Sequence, residues 1–216
     1  MDIKLFGYWR SSASYRVRIA LHLKQLNFIY TPVHLVRHDG EQHLAQYKVL
    51  NPAELVPVLI DEDGTVLNQS LAIIEYLEEK YPQSMRLLPQ ALSEKAKVRA
   101  LALDIACDVQ PLANLRVVQY LQHQFQLDQR QQKCWSAHWI HHGFKAIEQR
   151  LGSTAGAYCF GDTVTMADLC LVPQIYNALR FSVQLDDYPV IQKIYHNCQQ
   201  LAQFIAAQPE NQIDAE

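Results

Sequence analysis

The chain has 216 residues, of which 49% are hydrophobic, and its 19 basic and 22 acidic side chains give a net charge of -3. This composition is typical of a globular protein with one large or two small domains, and it excludes a disordered chain. No apolar run approaches the ~18 residues of a membrane span, and no run of basic residues indicates nucleic-acid binding. The start of the chain lacks the features of a signal peptide, which predicts a cytoplasmic location.

The cysteines and histidines do not predict a metal site. The five cysteines all lie in the second half of the chain, in odd number and without a CxxC motif, so we expect reduced, structural thiols. His138, His141 and His142 have helical spacing that would let two imidazoles meet. Only Cys134, one turn earlier, could add a ligand, so a solvated helix face is the favoured interpretation.

The first part of the chain predicts alternating strands and helices. Residues 3–7 have a strand pattern, Ser11 and Ser12 precede an amphipathic helix, and residues 28–35 alternate and are rich in β-branched and aromatic side chains. A strand, a helix and a strand in so short a stretch predict a βαβ unit.

A β-hairpin and a further helix are predicted next. Residues 56–60 and 65–67 flank an acidic turn that ends in Gly64, and Ser70 is expected to cap the following helix. The resulting order, β-α-β-(α)-β-β-α, is typical of a thioredoxin-like domain, which we assign to residues 1–82.

The rest of the chain predicts an all-helical domain. Residues 83–92 form a proline-bracketed linker, and residues 93–216 follow as the helical domain. Thr165 and Asp168 form a capping box, the signature of a helix start. Helical periodicity covers residues 93–123, 129–151, 165–180 and 189–207. The predicted fold class is therefore α/β plus all-α.

The turn after the first strand is the first candidate site. In a thioredoxin-like fold the following helix N-terminus offers free amides and a partial positive charge to an anion. The turn here is Trp9-Arg10-Ser11-Ser12-Ala13-Ser14, and the absence of CxxC excludes dithiol exchange. A serine here could donate a hydrogen bond to a thiolate supplied by another molecule; the alternative is that Ser11 or Ser12 only caps the helix.

Two further positions could bind a ligand. A cis Val56-Pro57 bond would turn the Val56 backbone outward as a docking edge for a peptide, whereas a trans bond would leave an ordinary edge-strand proline. Gln69 and Ser70 place a side-chain amide beside a helix N-terminus, which suits a carboxylate, although an ordinary cap is the alternative.

At this point a family resemblance becomes specific. Nearly the whole chain resembles the zeta class of glutathione transferases, which includes maleylacetoacetate isomerase and is close to glutathione-dependent maleylpyruvate isomerase. The family motif has Cys after the two serines, and this chain has Ala13 there. The stretches that carry the resemblance are RSSASYRVRIAL at residues 10–21, Asn51-Pro52, Val56-Pro57, QSLAIIEYLEE at residues 69–79 and GDTVTMADLCLVPQ at residues 161–174.

The resemblance implies a glutathione site. It implies that Ser11 holds the glutathione sulfur as thiolate, supported by Ser12 and the amides around Ala13. The remaining implied contacts are Gln42 to the glutathione backbone, Val56 beside Pro57 to its cysteinyl amide, Gln69 and Ser70 to its γ-glutamyl carboxylate, and His43 to its glycyl end. In the helical domain, Gln110, Asn114 and Arg116 are candidates to line the cleft, with Gln110 and Asn114 expected on one helix face.

The implied activity is a cis-trans isomerisation. We expect conversion of 4-maleylacetoacetate to 4-fumarylacetoacetate, in tyrosine and phenylalanine catabolism, by a homodimer with glutathione as cofactor. Arg10, Arg116 and Arg180 are candidates to hold a small dianionic maleyl substrate, although each could be a surface charge. The alternatives are maleylpyruvate isomerisation, general glutathione conjugation and, more remotely, a non-catalytic interaction protein of the same fold.

Overall fold

The computed structural model describes residues 2–216 and divides into two compact units. The first unit extends to Leu87 and also includes Leu201–Glu216, and the second is Leu88–Gln200. The elements are β1 (Ile3–Gly7), α1 (Ser12–Leu23), β2 (Phe28–Pro32), α2 (Ala45–Leu50), β3 (Val58–Ile60), β4 (Val66–Asn68), α3 (Ser70–Lys80), α4 (Leu92–Leu103), α5 (Leu115–Phe125), α6 (Gln129–Leu151), α7 (Met166–Arg180), α8 (Pro189–Cys198) and α9 (Ala202–Ala207).

The first unit is built on one sheet in the order β2-β1-β3-β4. Strand β1 pairs in parallel with β2, and β3 is antiparallel to both β1 and β4, which confirms the predicted thioredoxin-like order. Alternate apolar residues of the sheet pack against α1 and α3. This core consists of Ile3, Leu5, Val17, Leu21, Leu59, Ile73 and Leu77.

Several predicted boundaries in this unit are wrong. Strands β3 and β4 span Val58–Ile60 and Val66–Asn68 rather than residues 56–60 and 65–67. Strand β2 ends at Pro32, not at residue 35, because the His34 ring accepts hydrogen bonds from the Val36 and Arg37 amides at 3.2 and 2.8 Å and turns the chain away. Ser70 is the first residue of α3 and not its cap. Gln69 occupies the cap position, with no side-chain hydrogen bond to the helix.

The second unit is helical, but the predicted helix over residues 93–123 is interrupted. Helix α4 ends at Leu103, a π-helical turn follows at Asp104–Val109, and a 3₁₀ turn spans Gln110–Ala113 before α5 begins. Pro111 lacks an amide hydrogen, and Asn114 then starts α5 as a new N-cap. The helix over residues 129–151 and the capping box that precedes α7 are confirmed.

The segment over residues 189–207, predicted as one helix, consists of α8 and α9. Helix α9 packs on α1 in the first unit, where the Arg18 guanidinium donates to the Ala207 carbonyl at 3.0 Å. The structure thus groups residues 201–216 with the first unit, whereas the predicted domain 93–216 counts them with the helical part.

The first residues of the predicted linker 83–92 are also tied to the first unit. Lys24 donates to Ser84 and Met85, and Glu78 accepts from the Leu87 amide. In the part of the chain described, no helix is both long and apolar enough to span a membrane.

Candidate functional site

Ser11 stands at the N-terminus of α1, directly after the turn that follows β1. Its Oγ accepts a hydrogen bond from the Ser14 amide at 3.2 Å, and its own amide donates to the Tyr8 carbonyl at 3.0 Å. A serine hydroxyl has one donor and two acceptor positions, so an accepted cap bond leaves the O–H hydrogen available. Ser11 is partly exposed, and the capping and donor interpretations are therefore compatible.

The next three residues complete the turn around this hydroxyl. Ser12 is buried, Ala13 is partly exposed, and the Ser14 hydroxyl accepts from the Tyr8 amide at 3.4 Å. The first-turn amides of a helix have no partner within the helix and carry a partial positive charge. An anion placed beside Ser11 thus meets a hydroxyl donor and a helix N-terminus together.

Arg10 lies immediately before Ser11. Its guanidinium carbon is 4.5 Å from the centre of the Trp9 ring, and its Nη2 is 3.4 Å from the Tyr8 hydroxyl. It is partly exposed and forms no ion pair with any residue between 2 and 216. A stacked guanidinium without an acidic partner can bind a carboxylate from outside the chain.

The N-terminus of α3 carries the second pair of predicted residues. Gln69 is exposed and has a φ of 68°, a left-handed conformation that costs free energy for a residue with a side chain. Ser70 is buried, and its hydroxyl accepts from the Arg16 guanidinium at 3.3 Å. The Ser70 O–H can therefore still donate, next to free helix amides and a buried arginine.

Sequence reasoning did not identify Arg16 as a site residue. The signal available in the sequence is an arginine next to the apolar positions of the predicted helix. The structure buries this arginine, and a buried guanidinium needs a polar or anionic partner.

Gln42 is buried beside Gly40. Its Nε2 lies 3.5 Å from the Leu35 carbonyl and 3.0 Å from His43 Nε2. Its Oε1 is buried and has no hydrogen-bond partner among residues 2–216, which leaves one acceptor for a ligand amide. Gly40 has a φ of 99°, a backbone conformation that favours glycine, and a Cβ there would lie 2.5 Å from Gln42 Nε2 and displace that side-chain amide.

His43 is exposed and engaged with an acid of its own chain. Its Nδ1 contacts the Glu54 carboxylate, and Lys48 Nζ lies 3.1 Å from the same carboxylate. The hydrogen bonds from His43 and Lys48 lower the pKa of Glu54. A ligand carboxylate at His43 would have to share the imidazole with Glu54.

The Val56-Pro57 peptide bond is cis, which decides between the two predicted alternatives. The loop before it is held by the Tyr47 hydroxyl and the Asn51 side-chain amide, which both donate to the Leu55 carbonyl at 2.7 Å. The Val56 backbone is thus presented by a fixed loop at the start of β3.

The remaining predicted residues belong to the second unit. The expected helix face shared by Gln110 and Asn114 is wrong, because Gln110 lies in a 3₁₀ turn and Asn114 is the extended N-cap of α5, where its Oδ1 accepts from the Arg116 amide at 3.2 Å. Arg116 is exposed. Arg180, at the end of α7, is also exposed and donates to the Asn177 side chain at 3.2 Å.

The histidines of α6 have other partners. His141 Nδ1 lies 2.8 Å from the Tyr188 hydroxyl, and the exposed His138 and His142 rings stand edge-on to Trp139. Between residues 2 and 216 no group of three His, Cys, Asp or Glu side chains is arranged to hold a metal ion.

A thioredoxin-like unit with a serine at the N-terminus of its first helix, followed by a helical unit, is the domain order of the glutathione transferases. Residues 10–80 match the family model of the glutathione S-transferase N-terminal domain, and residues 113–210 match that of the C-terminal domain. The chain belongs to the glutathione S-transferase family.

The relatives place the chain within one class of that family. It is 51% identical to a probable maleylacetoacetate isomerase of Vibrio cholerae, over 100% of this chain and 99% of the relative. Among solved structures it resembles a holo maleylpyruvate isomerase, a bacterial glutathione S-transferase of the zeta class (TM-score 0.94, 43% identity, 99% and 100% coverage). It also resembles the maleylacetoacetate isomerase of Methylobacterium extorquens AM1 with bound malonate and GSH (TM-score 0.93, 36% identity, 99% of both chains). The chain is a member of the zeta class.

Proposed function

We propose that this chain is a glutathione-dependent isomerase that converts 4-maleylacetoacetate to 4-fumarylacetoacetate, in tyrosine and phenylalanine catabolism. The observation that carries the proposal is the Ser11 hydroxyl, which caps α1 through its oxygen and keeps its hydrogen for an external anion. The relative from Vibrio cholerae and the malonate- and GSH-bound structure support this assignment.

The residues of the first unit fit glutathione. Ser11 offers the donor for its sulfur, and Gln42 offers a buried acceptor that has no partner among residues 2–216. The N-terminus of α3 offers the Ser70 hydroxyl, supported by Arg16, to a carboxylate. The Val56 backbone and the exposed Gln69 amide supply the hydrogen-bonding groups that a peptide-like ligand needs.

Glutathione, when bound, supplies a thiolate that adds reversibly to the electron-poor double bond, so that rotation and elimination exchange the cis for the trans product. Ser11 holds the sulfur in its anionic form by a charge-assisted hydrogen bond. The amides around Ala13 and the dipole of α1 act in the same direction. Arg10 binds a substrate carboxylate and orients the double bond towards the sulfur.

Arg116 and Arg180, in the second unit, are proposed as further partners of the dianionic substrate. Both guanidinium groups belong to exposed residues. A guanidinium that recognises a carboxylate in a two-pronged geometry cannot be replaced by lysine without loss. Gln110 and Asn114 are proposed as polar contacts to glutathione from the same unit.

Maleylpyruvate is the second candidate substrate, because the chain is 43% identical to a maleylpyruvate isomerase over nearly its whole length. The two substrates differ only slightly in size, and such a difference changes binding in a pocket by only about 1–3 kcal/mol. The assay below therefore measures both substrates. A general conjugating transferase would use the same thiolate site, whereas a non-catalytic protein of this fold would have no need of the Ser11 donor. We further propose a cytoplasmic homodimer.

A spectrophotometric assay of both maleyl substrates, with and without glutathione, tests the proposal. We expect isomerisation that depends on glutathione and a higher kcat/KM for maleylacetoacetate. A higher value for maleylpyruvate would favour the second candidate. Conjugation of a model electrophile without isomerisation of either substrate would contradict the proposed function, and so would retention on immobilised glutathione without any turnover.

A further inference from the structure

The peptide groups of Trp9, directly before Arg10 and Ser11, are held from both sides. The Trp9 amide donates to Asp214 Oδ2 at 3.0 Å, and the Trp9 carbonyl accepts from Arg18 Nη2 at 2.9 Å. Trp9 and Arg18 are both buried. The Asp214 carboxylate, from near the end of the sequence, and the Arg18 guanidinium, from α1, therefore both hold the backbone where it enters the Ser11 turn.

Arg18 connects this turn to the segment that contains Asp214. Besides the Trp9 carbonyl, it donates to the Tyr8 carbonyl at 3.4 Å and to the Ala207 carbonyl at 3.0 Å. Burial lowers the pKa of Arg18, and Tyr30, Tyr15 and the Asp214 carboxylate oppose that shift. The two side chains are electrostatic complements around one short stretch of backbone.

Asp214 contacts the Trp9 amide with one carboxylate oxygen, while its other oxygen has no hydrogen bond within the described residues. Its Oδ2 accepts from the Trp9 amide and lies 3.4 Å from the Tyr30 hydroxyl, whereas its Oδ1 is buried with no partner among residues 2–216. An unpaired buried carboxylate oxygen lowers stability. The hydrogen bond to the Trp9 amide therefore explains the position of the Asp214 carboxylate better than a stabilising ion pair does.

We propose that Asp214 is a positioning residue of the active site. By accepting from the Trp9 amide, it fixes the backbone from which Arg10 and Ser11 follow, and so fixes the direction of the Ser11 hydroxyl towards the sulfur. It touches neither glutathione nor substrate. This inference rests on the proposed function, since it assigns Asp214 to the same thiolate site.

Three substitutions of Asp214 separate the hydrogen bond from the volume and charge of the side chain. Asp214→Ala removes the acceptor, Asp214→Leu keeps a similar volume without an acceptor, and Asp214→Asn keeps an amide oxygen that can accept from Trp9. Glu216→Gln is the matched control, because this acid lies in the same segment but contacts the Arg37 and His34 side chains instead of Trp9.

The readouts are kcat, the pH titration of the bound glutathione thiolate followed by its ultraviolet absorbance, the glutathione Kd by calorimetry, and hydrogen exchange of the Trp9 amide. For Asp214→Ala and Asp214→Leu we expect a roughly tenfold lower kcat, a thiolate titration moved to higher pH, faster exchange at Trp9 and a Kd within about twofold of wild type. Asp214→Asn and Glu216→Gln should resemble the wild type.

The possible outcomes distinguish this inference from the proposed function. If the wild type forms no thiolate with bound glutathione, the proposed function fails, and the inference with it. If the wild type forms the thiolate but the Leu variant titrates and turns over normally, only the inference fails. Equal losses of kcat in the Asn and Leu variants would also overturn the inference. So would a result in which only the Asn variant folds, because Asp214 would then serve the fold and not the active site.

Discussion

At the scale of single residues, the Ser11 hydroxyl caps a helix, and we propose that it also donates to the glutathione sulfur. Ser11 satisfies an amide of the first turn of α1 and still has a hydrogen to donate. The sequence allowed either interpretation of this serine. The geometry removes the conflict, because accepting from Ser14 and donating to a ligand use different parts of the same group.

Ser11→Ala should lose both tasks. We expect kcat to fall by about 10² or more, a loss of ~2.7 kcal/mol that corresponds to one removed anion-stabilising donor. Stability should fall by about 1 kcal/mol through the lost cap, and glutathione affinity should change less than kcat. Steady-state kinetics, calorimetry and thermal unfolding measure the three effects. Ser11→Thr, which keeps both functions, is the control, and an Ala variant with normal turnover would assign the thiolate to Ser12 or to backbone amides.

Arg10 should act on substrate binding and not on folding. It stacks on Trp9 at the exposed side of the turn, and such a contact contributes only about 0.5–1 kcal/mol to stability. We expect Arg10→Lys to raise the KM for a dianionic maleyl substrate several-fold, because lysine lacks the two-pronged geometry, and Arg10→Ala to raise it further. Glutathione affinity and Tm should stay nearly constant. A variant with lower Tm and normal KM would leave substrate binding to Arg116 or Arg180.

At the scale of elements, Asp61 ties the β3–β4 hairpin to the end of α3. This buried carboxylate accepts from the Tyr76 and Tyr81 hydroxyls at 2.6 and 3.0 Å and pairs with Lys80. Burial by itself would raise the pKa of Asp61, but the hydrogen bonds, led by that from Lys80, outweigh it and lower the pKa. A lowered folded-state pKa means that the group adds stability above its unfolded pKa and loses it as the pH falls through the folded value.

Asp61→Asn should therefore destabilise the protein mainly at neutral pH. We expect a loss of about 3 kcal/mol at pH 7, because Lys80 and two tyrosines lose their buried anion. The difference from wild type should begin to shrink below about pH 4, where the carboxyl of the unfolded chain takes up protons, and should disappear as the pH falls through the lower folded-state pKa. Denaturant unfolding across pH measures this. Asp63→Asn, at an exposed partner of the same Lys80, should cost much less stability than Asp61→Asn, because solvent screens an exposed pair. A pH-independent loss in the Asp61 variant would contradict this expectation.

The approach of α6 to the π-helical turn depends on Gly143. A Cβ at this position would lie 2.2 Å from Val109 Cγ2, and Val109 is buried. Gly143→Ala should therefore destabilise the second unit by about 1–3 kcal/mol through overpacking. Adding Val109→Ala should recover part of that loss, so a double-mutant cycle in denaturant should show coupling between the two sites. Additive losses would show that the helix shifts freely.

At the scale of the whole molecule, the proposed homodimer is directly testable. Light scattering at micromolar concentration should give a mass of about twice the 24.9 kDa of one chain. A concentration-independent monomer that is fully active would contradict the dimer and leave the proposed activity intact.

Local sequence pattern by itself determined the strand and helix order of the first unit, the capping box of α7 and the position of the serine turn. These features depend on side-chain periodicity and on caps a few residues apart, which are visible in the chain. The zeta-class resemblance likewise depended on contiguous motifs, such as residues 10–21.

Only the tertiary structure decided where the helix predicted over residues 93–123 is interrupted, namely by the π-helical turn before Gln110 and the 3₁₀ turn that begins there. It also decided that the Val56-Pro57 bond is cis and that residues 201–216 belong to the first unit. Helical periodicity continues across a π or 3₁₀ turn, so it does not show where hydrogen bonding changes. The contact of Trp9 with Asp214 joins residues 205 positions apart, and such a pair leaves no local pattern. It exists because α9 packs on α1 and the chain that follows brings a distant carboxylate to the backbone beside Ser11.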